Sequence, residues 1–175
     1  MKEYTSVEPH PASLSDAALL KDCEVLFGRV GGPGGQHRNN VATAASLEHL
    51  PTGLIGQASE RRHQAQNRHV ALKRLRLKLA RKIRRPIDPR RYRPSTLWTE
   101  RRQGDKLPVS ATSRDYPAML AEAMDVVVAM HYDVAGAAGR LGVTMSQLAR
   151  LIRHDRAAFA QVNEARESRG LPRLK

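Results

Sequence analysis

The sequence predicts an α+β chain: a small antiparallel sheet with packed helices, followed by a basic arm and a C-terminal, all-α, helix-turn-helix-like unit. Three observations lead there. Short strand-like runs fall between residues 24 and 59. A long basic segment then carries Leu72, Leu75, Leu79 and Ile83 at steps of three and four. Beyond Pro117, apolar periodicity returns together with helix start and stop signals.

The elements follow in order. Ser15 to Lys21 reads as a short helix, and Glu24 to Arg29 as a strand that delivers the chain into the glycine-rich run Gly31 to His37. Asn39 to Ala45 is expected to be a short helix, with strands at Ser46 to His49 and Leu54 to Ser59. The basic helix is expected over Arg61 to Arg85, where Lys73, Arg74, Arg76, Lys78, Arg81 and Lys82 take most positions between the leucines. Pro86 ends it, because proline removes a backbone donor and disfavours helix in the residue before it. From Pro86 to Arg114 the chain is rich in proline and arginine, has Tyr92 and Trp98 interleaved and shows no hydrophobic period, which predicts an extended, poorly ordered arm. Pro117 then opens a helix carrying Leu120, Met124, Val127 and Val128; a second runs from Asp133 to Leu141 and stops at Gly142. Thr144 and Gln147 form a capping box for a third helix with Leu148, Leu151 and Ile152. The predicted divisions are an N-terminal extension at 1–21, a sheet-and-helix domain at 22–85, the basic arm at 86–114 and a helical domain at 115–175.

Charge sets the class of partner. The 175 residues carry a net charge of +13, which calls for a polyanion. The excess is local: residues 61–114 hold 18 Lys/Arg against three Asp/Glu, whereas residues 1–60 hold four against seven and residues 115–175 eight against seven. Arginines in the arm either form a solvated linker or bind phosphates with sequence-tolerant, salt-sensitive affinity, with Tyr92 and Trp98 stacking on unpaired bases. No stretch is long and apolar enough to span a bilayer, and the N-terminus lacks a signal core, so the expected location is cytoplasmic with no membrane partner. The single Cys23 reads as a small buried residue. His63 and His69 lie six apart without paired cysteines or clustered carboxylates, so no metal site is expected, and no phosphate-cradling P-loop is present. No cofactor is expected. Gln147, Arg150 and Arg153 could face a nucleic-acid groove, but the near-neutral charge of that region favours a packing or docking module.

Within Gly31 to His37 stands Gly34-Gly35-Gln36, and the flanks extend the pattern: Arg29 before it, Asn39 after it, the small pair Thr43-Ala44, the corner His49-Leu50-Pro51-Thr52-Gly53, and the polar triplet Arg62, Gln64 and Asn67. Together these residues resemble the catalytic (GGQ) domain of class I peptide chain release factors, over about a third of the chain. Arg38, Asn40 and Ala42 depart from the family's usual apolar, basic and acidic residues. The resemblance implies hydrolysis of the peptidyl-tRNA ester on the ribosome, with large-subunit rRNA and P-site peptidyl-tRNA as partners and a monomeric protein. It implies Gly34, Gly35 and Gln36 as catalytic residues. Glycines without Cβ let the backbone come close, so that the Gln36 N–H can donate to the charge developing on oxygen; the Gln36 side chain gates water, and His37 is structural. Arg29, Arg38, Arg62, Gln64, Asn67, Lys73, Arg74, Arg81, Arg84, Arg90, Arg91 and Arg93 are the expected RNA- or ribosome-binding residues. Stop-codon-reading members place a codon-recognition domain ahead of the motif, whereas 33 residues precede Gly34 here. The expectation is codon-independent release; the alternative is a non-catalytic RNA- or ribosome-binding protein that keeps the fold.

Overall fold

The computed structural model describes residues 9–29 and 43–175. They fall into two compact units, one over Leu14–Lys82 and one built from the segment ending at Ser13 together with Ile83–Lys175. The architecture is α+β: a three-stranded antiparallel sheet and seven α-helices among the described residues.

In the first unit, helix α1 (Asp16–Lys21) starts at Ser15, whose Oγ accepts the Ala18 N–H at 3.2 Å. Strands β1 (Cys23–Gly28), β2 (Ala44–His49) and β3 (Leu54–Ala58) follow in the order β1-β2-β3. The expected helix over Asn39 to Ala45 is corrected where it can be seen. Residues 39–42 lie outside the described residues, and Ala44 and Ala45 are strand, paired with Gly28 and Phe27. Alternate burial of Ala45, Leu47 and His49 imposes a period of two that the helix-forming alanines hide.

The turn between β2 and β3 is the corner the sequence announces. His49 O accepts the N–H groups of Thr52 and Gly53 at 3.1 and 2.8 Å, and Gly53 takes φ +66°, a conformation cheap only for glycine. The His49 ring pairs with Thr52 Oγ1 at 2.8 Å, and burial lowers its pKa.

Helix α2 (Gln64–Lys82) lays Ala71, Leu72, Leu75 and Leu79 onto β2 and β3. It comes so close at Gly56 that an added Cβ would strike the Ala71 carbonyl oxygen and stand 2.7 Å from the Leu75 Cβ and backbone nitrogen. On one flank Arg76 pairs with Asp16 at 2.7 Å. On the other, Arg74 and Lys78 donate to the outward carbonyls of Gln57 and Ile55 at 2.7 and 2.6 Å, which covers the edge of β3.

The second unit contains α3 (Thr96–Arg101), α4 (Tyr116–Ala129), α5 (Val134–Leu141), α6 (Met145–Arg153) and α7 (Arg156–Glu167). Helix α4 is the core element, buried without interruption from Met119 to Val127. Two of its buried side chains are acids. Asp125 accepts from Arg84 at 3.0 Å and from the Arg85 side chain at 2.9 Å. Glu122 accepts from the Tyr92 hydroxyl, and from the backbone N–H and hydroxyl of Ser95 at 2.7 and 2.6 Å.

These carboxylates overturn the expectation of an extended, poorly ordered arm. Residues 86–114 belong to the same compact unit as the helices, and α3 forms within them behind an Ser95 N-cap. Trp98, read as a base-stacking residue, is fully buried and donates its indole N–H to Leu141 O at 2.9 Å. Tyr116 does the same for α6, donating to Leu151 O at 3.2 Å. Each aromatic thus satisfies a carbonyl that a helix end leaves without an intrahelical donor.

The helix-turn-helix shape is present in α5 and α6, joined at Gly142 with φ +68°. Only half of the capping box forms: Thr144 Oγ1 accepts the Gln147 N–H at 3.2 Å, but the Gln147 carbonyl accepts from Leu107 N and Arg150. Helix α7 has no counterpart in the sequence reading, although Asp155 caps it by accepting the Ala158 N–H at 2.9 Å. It anchors the C-terminus through Asn163, which receives the Leu174 N–H at 2.7 Å, and through Arg166, which donates to Pro172 O at 2.8 Å.

Two predictions follow from this packing. Gly56→Ala should destabilise the sheet unit by about 3 kcal/mol, because both clashing partners are backbone or helix-fixed atoms that cannot swing away; a denaturant midpoint equal to that of the parent would refute the close approach. His10 is buried, with Nδ1 accepting the Ala12 N–H and Nε2 donating to Ile83 O. Burial, with Arg84 and Arg85 adding, lowers its pKa from 6.5 to about 4. A folded-state pKa below the unfolded value means that its contribution is complete above pH 6.5 and is lost as pH falls from there towards about 4. His10→Asn, which keeps an acceptor but does not titrate, should therefore lose about 3 kcal/mol less stability over that range. Equal losses in the two proteins would show that His10 is not the titrating group.

Candidate functional site

The sequence motif falls between two strands whose facing ends are paired. Gly28, the last residue of β1, pairs with Ala44, the first of β2, so the segment between them leaves and re-enters the sheet at adjacent positions. That segment contains Gly34, Gly35, Gln36 and Arg38, which lie outside the described residues. Its returning leg is tied down by Asn67. This side chain is fully buried; its amide donates to Thr43 O at 2.7 Å and to Arg61 O at 2.8 Å, and its carbonyl accepts the Arg61 N–H at 2.9 Å. One buried amide thus binds the entry to α2 and the exit of the motif segment, with all its principal hydrogen-bonding groups engaged.

At the same end of the sheet lies a cleft of about 450 Å³, lined by Leu26, Phe27, Ala45, Ala58 and Arg74 among others. Leu26 and Phe27 remain 54% and 44% exposed there. Large apolar side chains so exposed on a strand mark a surface suited to contact.

The expected RNA-contacting residues divide between the two units. In the sheet unit Arg29 and Arg62 are exposed, as is Gln64 at the start of α2. Lys73 is half-buried. Arg74 is about half exposed and pairs with Glu60 at 2.7 Å; the N–H groups of Glu60 and Ser59, and then Arg74, hold that carboxyl below its ordinary pKa. Arg81 is half-buried and donates to Leu77 O at 3.3 Å. In the helical unit Arg84 is drawn inward by Asp125. Burial pushes the Asp125 pKa up while both arginines pull it down, and burial lowers that of Arg84.

Two of these residues are therefore committed to the fold rather than to a surface. Asn67 has no exposed surface, and Arg84 neutralises a carboxylate that cannot remain buried alone. Arg90, Arg91 and Arg93 are exposed. Arg91 and Arg93 line one polar cleft of about 480 Å³ with Arg85, Tyr92 and Glu122. The 3.9 Å pair of Arg91 with Asp88, at 90% side-chain exposure, is too solvated to restrain it.

Sequence reasoning missed the part played by Lys78 on the β3 edge, although its spacing of four from Arg74 places both on one flank of α2. It also missed Thr43 as an anchoring point, since a backbone carbonyl leaves no residue-type signal.

Among the described residues no group of His, Cys, Asp and Glu could hold a metal ion, and no helix is long and apolar enough to cross a membrane. The RF-1 domain family matches residues 18–115, more than half of the chain. The chain is 36% identical over 74 residues to the rat protein named peptide chain release factor 1-like, mitochondrial, covering 42% of this chain and 20% of that one. It is 38% identical over 77 residues to bovine peptide chain release factor 1, mitochondrial, covering 44% and 17%. It is 44% identical over 80 residues to peptide chain release factor PrfB1, chloroplastic, of Arabidopsis thaliana, covering 43% and 18%. The chain spans about a fifth of the length of these relatives. With the family match extending from α1 through the motif, the sheet, α2 and α3, the chain belongs to the RF-1 domain family, the catalytic-domain family of class I peptide chain release factors.

Proposed function

We propose that this chain hydrolyses the ester between nascent peptide and tRNA on the ribosome, without reading a stop codon, as a monomer in the cytoplasm. The observation that supports the reading is the pairing of Gly28 with Ala44, with Thr43 tied to Asn67, at the two ends of the stretch of sequence that contains Gly34-Gly35-Gln36. Family membership and the names of the relatives supply the substrate class. Codon independence draws on residues 116–175, which lie C-terminal to the family match and form an all-α region with α4 at its core.

The chemistry asks little of titratable side chains. Water attacks the ester carbonyl, negative charge develops on oxygen, and the bond to the tRNA ribose breaks to give a peptide acid and a free ribose hydroxyl. Gly34 and Gly35 let the backbone approach the ester without a Cβ in the way, so that the Gln36 N–H donates to the developing charge or leaving oxygen. The Gln36 side chain orders one water and excludes larger nucleophiles. Proton transfer falls to the RNA, and His37 is a spectator. Arg29 and Arg62 on the sheet unit, and Arg90, Arg91 and Arg93 on the helical unit, contact phosphates and position the protein.

The deciding measurement is release of labelled peptide from ribosomes carrying a truncated message, a sense codon or a stop codon. Release from the first, no faster with a stop codon in place, is expected. Gly35→Ala should slow it about 100-fold or more while leaving ribosome binding intact. Binding by the parent protein with no release on any complex would favour the non-catalytic alternative.

Asn67→Ala tests the anchor. Loss of the tie to Thr43 should lower the maximal rate about tenfold or more at saturating protein, with affinity little changed, since small misplacements of a reacting group are expensive. It should also cost about 1–3 kcal/mol of stability from the backbone groups left unpaired. A full maximal rate in a folded variant would show that the motif segment is placed by something else.

A further inference from the structure

We infer that the helix-turn-helix of this chain is a docking surface for RNA phosphates and not a reader of base sequence. The inference rests on the ribosomal reading above for the choice of RNA as the polyanion.

The residues that could read a groove are already engaged. Gln147 accepts from Leu107 N at 3.3 Å and from Arg150 at 2.8 Å. Arg150 also donates to Leu107 O at 3.0 Å. The Arg153 guanidinium lies over the Phe159 ring, 5.2 Å from its centroid. The element that engages Gln147 and Arg150 follows a tight reversal in which Gln103 and Lys106 exchange both backbone hydrogen bonds at 3.0 Å around Gly104, with φ +60°. Asp105 O accepts the Thr144 N–H at 3.1 Å, at the very start of α6, and Leu107 is buried beneath it. A base edge would have to displace this strap to reach the Gln147 amide.

The same strap brings cations together. Arg102 donates to Gly142 O at 3.0 Å, beside Arg140 at the end of α5, and the bonds from residues 105 and 107 carry Lys106 to the start of α6, near Arg150. Arg102, Lys106, Arg140 and Arg150 are all exposed, and none of them forms an ion pair among the described residues. The neighbouring acids are few: Asp105 within the reversal, and Glu100 and Asp115 nearby on or beside α3 and α4, of which Asp115 is paired with Arg101. Arg102 and Arg150 are held by backbone carbonyls, which orient a guanidinium without neutralising it. Oriented, uncompensated cations around a helix whose Gln147 and Arg150 are already bonded within the protein suit a repeating phosphate backbone, where charge matters and base identity does not.

The test uses the full chain and two probes: an RNA duplex of arbitrary sequence, and ribosomes. Lys106→Gln with Arg140→Gln removes two cations whose side chains bond nothing else among the described residues. This double variant should weaken duplex and ribosome binding about tenfold and lower the slope of log affinity against log salt by about two. Release at saturating protein should be unchanged. The charge-retaining pair Lys106→Arg with Arg140→Lys should bind as the parent does. Unchanged affinity and slope in the glutamine variant, or loss of binding in the charge-retaining one, would overturn the inference, as would parent affinity that depends on duplex sequence. Duplex binding is read without catalysis, so failure of the release reading alone, with no hydrolysis by the parent, leaves this result separately legible.

Discussion

The sheet unit depends on how closely α2 approaches the sheet at Gly56. With no Cβ at that position, the backbone of Ala71 to Leu75 sits directly on β3, and every other contact of the helix is set from there. Leu75 and Leu79 reach the core, Asn67 arrives one helical stretch earlier at the level of Thr43, and Arg74 and Lys78 fall beside the outward carbonyls of β3. A larger residue at 56 would lift the helix and disturb all three at once. The anchor of the motif segment and the packing of the core are therefore the same constraint seen from two places.

The helical unit is organised by a different economy. Helix α4 buries Glu122 and Asp125, three residues apart on one face, in surroundings that would not tolerate bare carboxylates. Their partners come from Arg84 to Ser95, a stretch of high charge and three prolines at positions 86, 89 and 94. Arg84, Arg85, Tyr92 and Ser95 satisfy the acids, and in doing so order a segment that has no apolar periodicity of its own. Trp98 then completes the core from α3. The basic character that suggests an RNA-binding arm is thus partly internal, and what remains outside is a smaller set: exposed Arg90, Arg91 and Arg93, the last two at one cleft, and the cations near Gly142.

This division makes sense of a protein whose proposed reaction uses backbone rather than side-chain chemistry. Nothing in such a site needs a tuned pKa; it needs a rigid base for the motif and many weak contacts that orient a small protein on a large RNA. The perturbed groups fit that view. His10, His49 and Asp125 are shifted chiefly by burial, and each holds structure rather than facing a cleft as an acid or base.

Much was legible in the sequence because it was written in local signals. The leucine period made α2 readable, Gly53 and Gly142 marked their turns, Thr144 marked its cap, and Gly34-Gly35-Gln36 with its flanks pointed to the family. The sequence by itself determined these because each depends on residues within a few positions of one another. Only the tertiary structure decided the fates of Asn67, Arg84, Tyr92 and Trp98, which look from composition like surface polar, basic and stacking residues. Their partners lie at Thr43, Asp125, Glu122 and Leu141, between 24 and 43 positions away. A buried acid pulls a distant base inward because desolvation makes an unpaired charge intolerable, and no local pattern reports which acid will be buried.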